Sequence, residues 1–209
     1  MRESGRPRHL EVLRTDQHFG PDEWPHGALV RGETAEHWGE RSCGIACLRS
    51  VVHFHTGVAP DLYELLCRGL ARGAFGDRGW IHASLADLSR SYGLAGASVG
   101  MDGLPALYDQ IDQGLPVIVS CSLGFPDDGR RGGHLVLATG RSASPRGDVV
   151  HVMDPSRRGR VEDTVPATRL AASWTGRAIV FRKGDGSDHR LLHVRPGPRR
   201  TAVRPGREA

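Results

Sequence analysis

The chain has 209 residues, 38% of them apolar and 25% charged, with a formal charge of +4, enough for one domain with a substantial core. Residues 182–209 hold eight basic against three acidic side chains, a charge of +5 that leaves residues 1–181 at −1 and no basic face for nucleic acid. No run approaches the about 18 apolar residues of a membrane span, the first ten residues lack the apolar core of a secretory signal, and four irregularly spaced cysteines make no disulfide framework. These features predict a soluble, cytoplasmic chain with no membrane or nucleic-acid partner and with free thiols.

Residues 1–35, rich in Gly, Pro, His and charge, predict an extended, partly ordered lead-in to a domain over 36–182. The first strong helical period covers 43–55, where Ile45, Leu48, Val51 and Val52 recur at spacings of three and four, with Ser42 at the N-cap position and Gly57 as the stop. Further helices are predicted over 61–71, over 81–92 up to Gly93, and over 104–111 before Gly114. Beyond Gly114 the texture becomes β: 116–121, 134–139, 148–153 and 177–181 are short β-branched runs between turn residues. Helices followed by strands predict an α+β fold, an antiparallel sheet with helices packed on one side. Residues 183–209 predict a basic, flexible tail.

The chemistry centres on Cys43. A thiol attacks as thiolate, and the first turn of a helix, with unpaired N–H groups and the positive end of the dipole, favours a negative sulfur. Gly44 behind it is expected to leave room for a substrate backbone. Among eleven histidines, His134 stands out because Gly132 and Gly133 precede it and a β-run follows, placing its ring at the mouth of a strand. A hydrolase imidazole needs an orienting side-chain acceptor; the chain has no asparagine, and Asp154, at the end of the next β-run, is well placed. Trp38, Trp80, His82 and Gly133 are candidate cleft residues, although tryptophans flanking helices are more often core. Cys43, Cys47, His53 and His55 superficially offer metal ligands, but at this spacing they face different sides of one helix, so no metal or cofactor is predicted.

Taken together, Cys43-Gly-Ile-Ala-Cys-Leu-Arg49, Gly73-Ala-Phe-Gly-Asp-Arg-Gly-Trp80-Ile-His82, the Gly114–Val119 block, Gly132-Gly-His134-Leu-Val136 and Val152-Met-Asp154-Pro155 resemble the C39-like cysteine peptidases, a branch of the papain-like fold. The resemblance implies Cys43 as nucleophile, His134 as base and then acid, Asp154 as orienter, and a peptide or amide bond cleaved through a thioester. It also implies a glutamine six residues before the nucleophile, helping to hold the oxyanion. His37 stands there, and is expected to donate in its place or to leave a weakened, peptide-binding module; acyl transfer to an amine is a further alternative. With no membrane span and no nucleotide-binding loop, the chain resembles a stand-alone member without an ABC exporter, and its substrate and oligomeric state are open.

Overall fold

The computed structural model describes residues 8–143, 145 and 147–184. The long central helix α2 (Cys43–Thr56) forms where the period predicts it, and buries Ile45, Cys47, Leu48, Val51 and Val52. Each such aliphatic side chain removed from water contributes about 1.5–3 kcal/mol. Gly57 ends the helix in the left-handed conformation, φ 76°, returning its N–H to the His53 carbonyl. The other end departs from expectation: Ser42 occupies the N-cap position, but its hydroxyl is buried and caps nothing.

Short α1 (Ala35–Gly39) precedes α2, with the Thr34 hydroxyl accepting from the His37 N–H; this helix lies at the predicted domain start and was not foreseen. Helix α3 (Leu62–Ala71) is capped by Asp61, whose carboxylate accepts from the Glu64 N–H. Two-residue strands β2 (Phe75–Gly76) and β3 (Gly79–Trp80) form a tight hairpin. Helix α4 (His82–Leu88) then runs on as a 3₁₀ turn to Tyr92. Helix α5 (Gly103–Asp112) and helix α6 (Ala167–Ser173) complete the set.

The main sheet is antiparallel throughout. Its order is β4 (Leu94–Gly100), β9 (Trp174–Lys183), β5 (Val117–Cys121), β6 (His134–Ser142), β7 (Val149–Met153), β8 (Thr164–Pro166), with β1 (Arg8–His9) added alongside β6. Side chains alternate between two cores. Ile118, Leu135, Leu137, Ile179 and Phe181 face α2, α3 and α4, whereas Val117, Val119, Val136, Ala138 and Ala178 face α5 and α6. Helices therefore cover both faces of the sheet, not one. The unbroken burial of β5 is the signature of a strand enclosed on both sides.

The lead-in does not stand apart from this body. Thr15 and Gln17 are buried, Ser50 on α2 donates to the Thr15 hydroxyl, and the Gln17 N–H donates to the Pro155 carbonyl. At the other end, β9 carries the sheet through Lys183, and residues 185–209 of the predicted tail lie outside the described residues. No helix among the described residues is long and apolar enough to cross a membrane.

Candidate active site

Cys43 is the first residue of α2 and half-buried at the floor of a cleft of about 620 Å³. His134 opens β6, opposite Cys121 in the β5 register. Gly132 and Gly133 turn the chain into that strand with φ of 78° and 89°, a conformation that favours glycine, and a Cβ on Gly132 would press on Thr175 at 3.0 Å. Asp154 follows β7 directly, so the antiparallel β6–β7 pair delivers the histidine and the carboxylate to the same end of the sheet.

His134 Nε2 lies 2.8 Å from Asp154 Oδ1, and both side chains are almost wholly buried. The same oxygen accepts from the Ser156 N–H at 2.9 Å, and the Asp154 carbonyl accepts from Arg14 Nη2 at 3.1 Å. Gly159 packs so closely that a Cβ there would fall on the Asp154 carbonyl. Cys43 is the second residue that acts on this imidazole, and with Nε2 committed to Asp154 only Nδ1 remains to meet the sulfur.

Burial pushes the His134 pKa down, but the hydrogen bonds to Asp154 and Cys43, and the negative charge both can carry, outweigh it and raise the value to about 9. Burial raises the Asp154 carboxyl in the same way, and the His134 contact and the Ser156 N–H reverse it, holding the group below its ordinary value. An imidazolium–carboxylate pair therefore stands beside the sulfur at neutral pH. Burial pushes the Cys47 thiol well up, helped by Cys43, Asp154 and Cys121 as negative neighbours, and burial likewise raises Cys121 and Cys67.

Trp80, His82 and Gly133 line the cleft. Trp80 is nonetheless mostly core: its Nε1 donates to the Arg41 carbonyl at 2.6 Å, and its ring lies edge-on to Phe75. Gly44 also has a different purpose from the expected one. A Cβ there would meet the Trp80 ring at 2.8 Å and Leu85 at 2.9 Å, so the glycine is required by packing and not by substrate approach. His82 sits with Nδ1 buried and unpartnered, and burial, then the Arg177 charge, hold its pKa down.

His37 and Trp38 are not in the cleft. Trp38 is a core residue whose Nε1 donates to the Val30 carbonyl. His37, on the outer side of α1, pairs with Glu33 at 3.1 Å. Gln17, 26 positions before Cys43, lines the cleft with its Nε2 donating to the Gly39 carbonyl at 2.9 Å and its Oε1 buried without a partner. One hydrogen of that amide nitrogen remains uncommitted. Next to it, His18 bridges Asp16 and Glu40. No spacing rule pointed to Gln17; the only signal was its place in a polar quartet, Thr15 to His18, between the apolar Leu10, Val12 and Leu13 and Gly20. Among the described residues no cluster of three or more metal-ligating side chains occurs.

A cysteine on a helix facing a sheet-borne histidine and aspartate across a cleft defines the papain-like fold. Within that class, the model of the Peptidase_C39 like family matches residues 23–178, and the chain belongs to that family. Among solved structures it is similar to a protein described as a C39-like peptidase from Bacillus anthracis, at 16% identity and a TM-score of 0.57, covering 86% of this chain and 98% of that one. It is also similar to the peptidase domain of Streptococcus ComA, a bifunctional ABC transporter, at 24% identity and 0.51, over 68% and 91%. A third similar structure is a double glycine motif protease from an AMS/PCAT transporter in complex with the leader peptide, at 18% and 0.50, over 84% and 96%. Curated protein sequences give no match.

Proposed function

We propose that the chain is a cysteine-dependent peptidase that cleaves a peptide or amide bond through a thioester on Cys43. The observation that carries this is the ring of His134, bound through Nε2 to Asp154 at 2.8 Å and lining the same cleft as Cys43. The Cys43 sulfur attacks the substrate carbonyl carbon. His134 Nδ1 gives its proton to the departing amine nitrogen, so the C–N bond breaks and a thioester forms. Water then attacks the thioester carbon, returns a proton to Nδ1, and expels the sulfur with release of the acid product. Asp154 keeps Nε2 protonated and stabilises the imidazolium throughout.

The oxyanion is received by the Cys43 backbone N–H and the free N–H of Gln17, the role expected of His37. A placed glutamine amide favours a working hydrolase over a weakened binding module. A peptide substrate fits the relatives, one of which holds a leader peptide.

The test is competitive alkylation at neutral pH, mapped thiol by thiol. Cys43 is expected to react ahead of Cys47, Cys67 and Cys121, and His134→Ala to remove that lead. If Cys43 reacts no faster than the half-buried Cys67, the nucleophile assignment fails.

A further inference from the structure

The walls of the cleft are strongly cationic in a body whose overall charge is −1. Arg41, just before α2, and Arg78, in the β2–β3 turn, stand on the helical wall; Arg157 and Arg158, in the loop after Asp154, stand on the wall that follows the sheet. All four side chains are exposed. Arg158 is neutralised by Glu162 at 2.6 Å, and Glu40, the one acidic residue lining the cleft among the described residues, bonds His18. Arg41 bonds only a backbone carbonyl, that of His37, and Arg78 and Arg157 meet no carboxylate among the described residues. Three guanidinium groups that pair with no carboxylate among the described residues thus line the cleft that holds Cys43. Exposed charges so arranged attract and orient carboxylates, which guanidinium can hold through two parallel N–H···O bonds.

We infer that this cleft selects peptides carrying carboxylates close to the scissile bond, as glutamate or aspartate side chains or as a free C-terminus. The inference rests on the peptidase reading for its substrate, but its test does not. Full-length Cys43→Ala protein is titrated with matched short peptides that carry Glu or Gln at successive positions, each as free acid and as amide. Binding of the Glu peptides is expected to be tighter by about two- to fivefold per engaged arginine, with the margin shrinking at high salt.

Arg41→Gln, Arg78→Gln and Arg157→Gln, combined in the same background, are expected to abolish the preference, whereas Arg90→Gln, remote and paired with Asp87, retains it. A preference confined to free acids assigns the subsite to a terminal carboxylate; one that persists in amides assigns it to side chains. Equal binding of Glu and Gln peptides, or an undiminished preference in the triple variant, overturns the inference. Wild-type turnover of the same peptides is scored separately. Cleavage without charge preference removes only the subsite, and charge preference without cleavage removes only the peptidase reading.

Discussion

Replacing Gln17 by alanine tests the proposed site where sequence and structure part. The amide makes one hydrogen bond, to the Gly39 carbonyl, and leaves one N–H for an oxyanion formed at Cys43. Loss of the Gly39 contact costs about 0.5–1.5 kcal/mol of stability, a small fall in melting temperature that leaves the fold intact because the backbone bond to Pro155 stays. Loss of an oxyanion donor costs about 10²–10³ in kcat, or about 2.7–4 kcal/mol of transition-state stabilisation. Steady-state hydrolysis of a peptide substrate should show kcat and kcat/KM falling together, as for an interaction made only in the transition state. Alkylation of Cys43 should be nearly unchanged, because the His134–Asp154 pair is untouched. His37→Ala should leave turnover at the wild-type level. If Gln17→Ala keeps kcat within threefold, or if His37→Ala carries the loss instead, the oxyanion assignment is wrong.

Three further outcomes follow from packing and charge. Gly159→Ala drives a methyl group onto the Asp154 carbonyl; the displaced loop should cost about 1–3 kcal/mol in a denaturant titration and slow turnover by moving the orienting carboxylate. Gly44→Ala collides with Trp80 and Leu85 and should cost a similar about 1–3 kcal/mol, with wild-type stability refuting the packing role. His134 is raised to about 9 in the fold, so its contribution to stability is full below its unfolded value near 6.5 and is lost as pH rises through about 9. Turnover should show an alkaline limb near pH 9 as the general acid disappears, and Asp154→Asn should move that limb to lower pH by removing the largest influence that raises the ring; an unmoved limb would disconnect it from this pair.

The elements legible in the sequence are those with strong periodicity or strong punctuation. Helix α2 declared itself by Ile45, Leu48, Val51 and Val52 and by Gly57, and the β-branched runs of β5, β6 and β7 by their turns. Strand β4 was missed because Leu94–Gly100 is mostly Gly, Ala and Ser, with Leu94 and Val99 too far apart to make a β pattern, and owes its form to pairing with β9. Helix α6 was missed because seven residues around Ala and Ser carry too little pattern. Cys43, His134 and Asp154, which the structure brings together, each stand beside a local marker: a helix start, a glycine pair, a strand end. Gln17 has no such marker, because only the docking of an extended segment against Pro155 and Gly39 puts it there; it also precedes the family match, which begins at residue 23. The alternating faces of the sheet, with helices on both, could have been inferred from the consecutive apolar residues Val117, Ile118 and Val119 of β5.

The end of the cleft that holds Cys43 and His134 draws on four stretches that lie far apart along the chain: the lead-in at Gln17, the start of α2, the mouth of β6 and the loop beyond β7. Cys43 leaves the ribosome well before His134 and Asp154, and until β6 and β7 pair its sulfur has neither a proton acceptor nor an imidazolium beside it. In the proposed mechanism, closure of the sheet is therefore what would bring base and orienter to the thiol, so that reactivity at Cys43 depends on long-range pairing being complete.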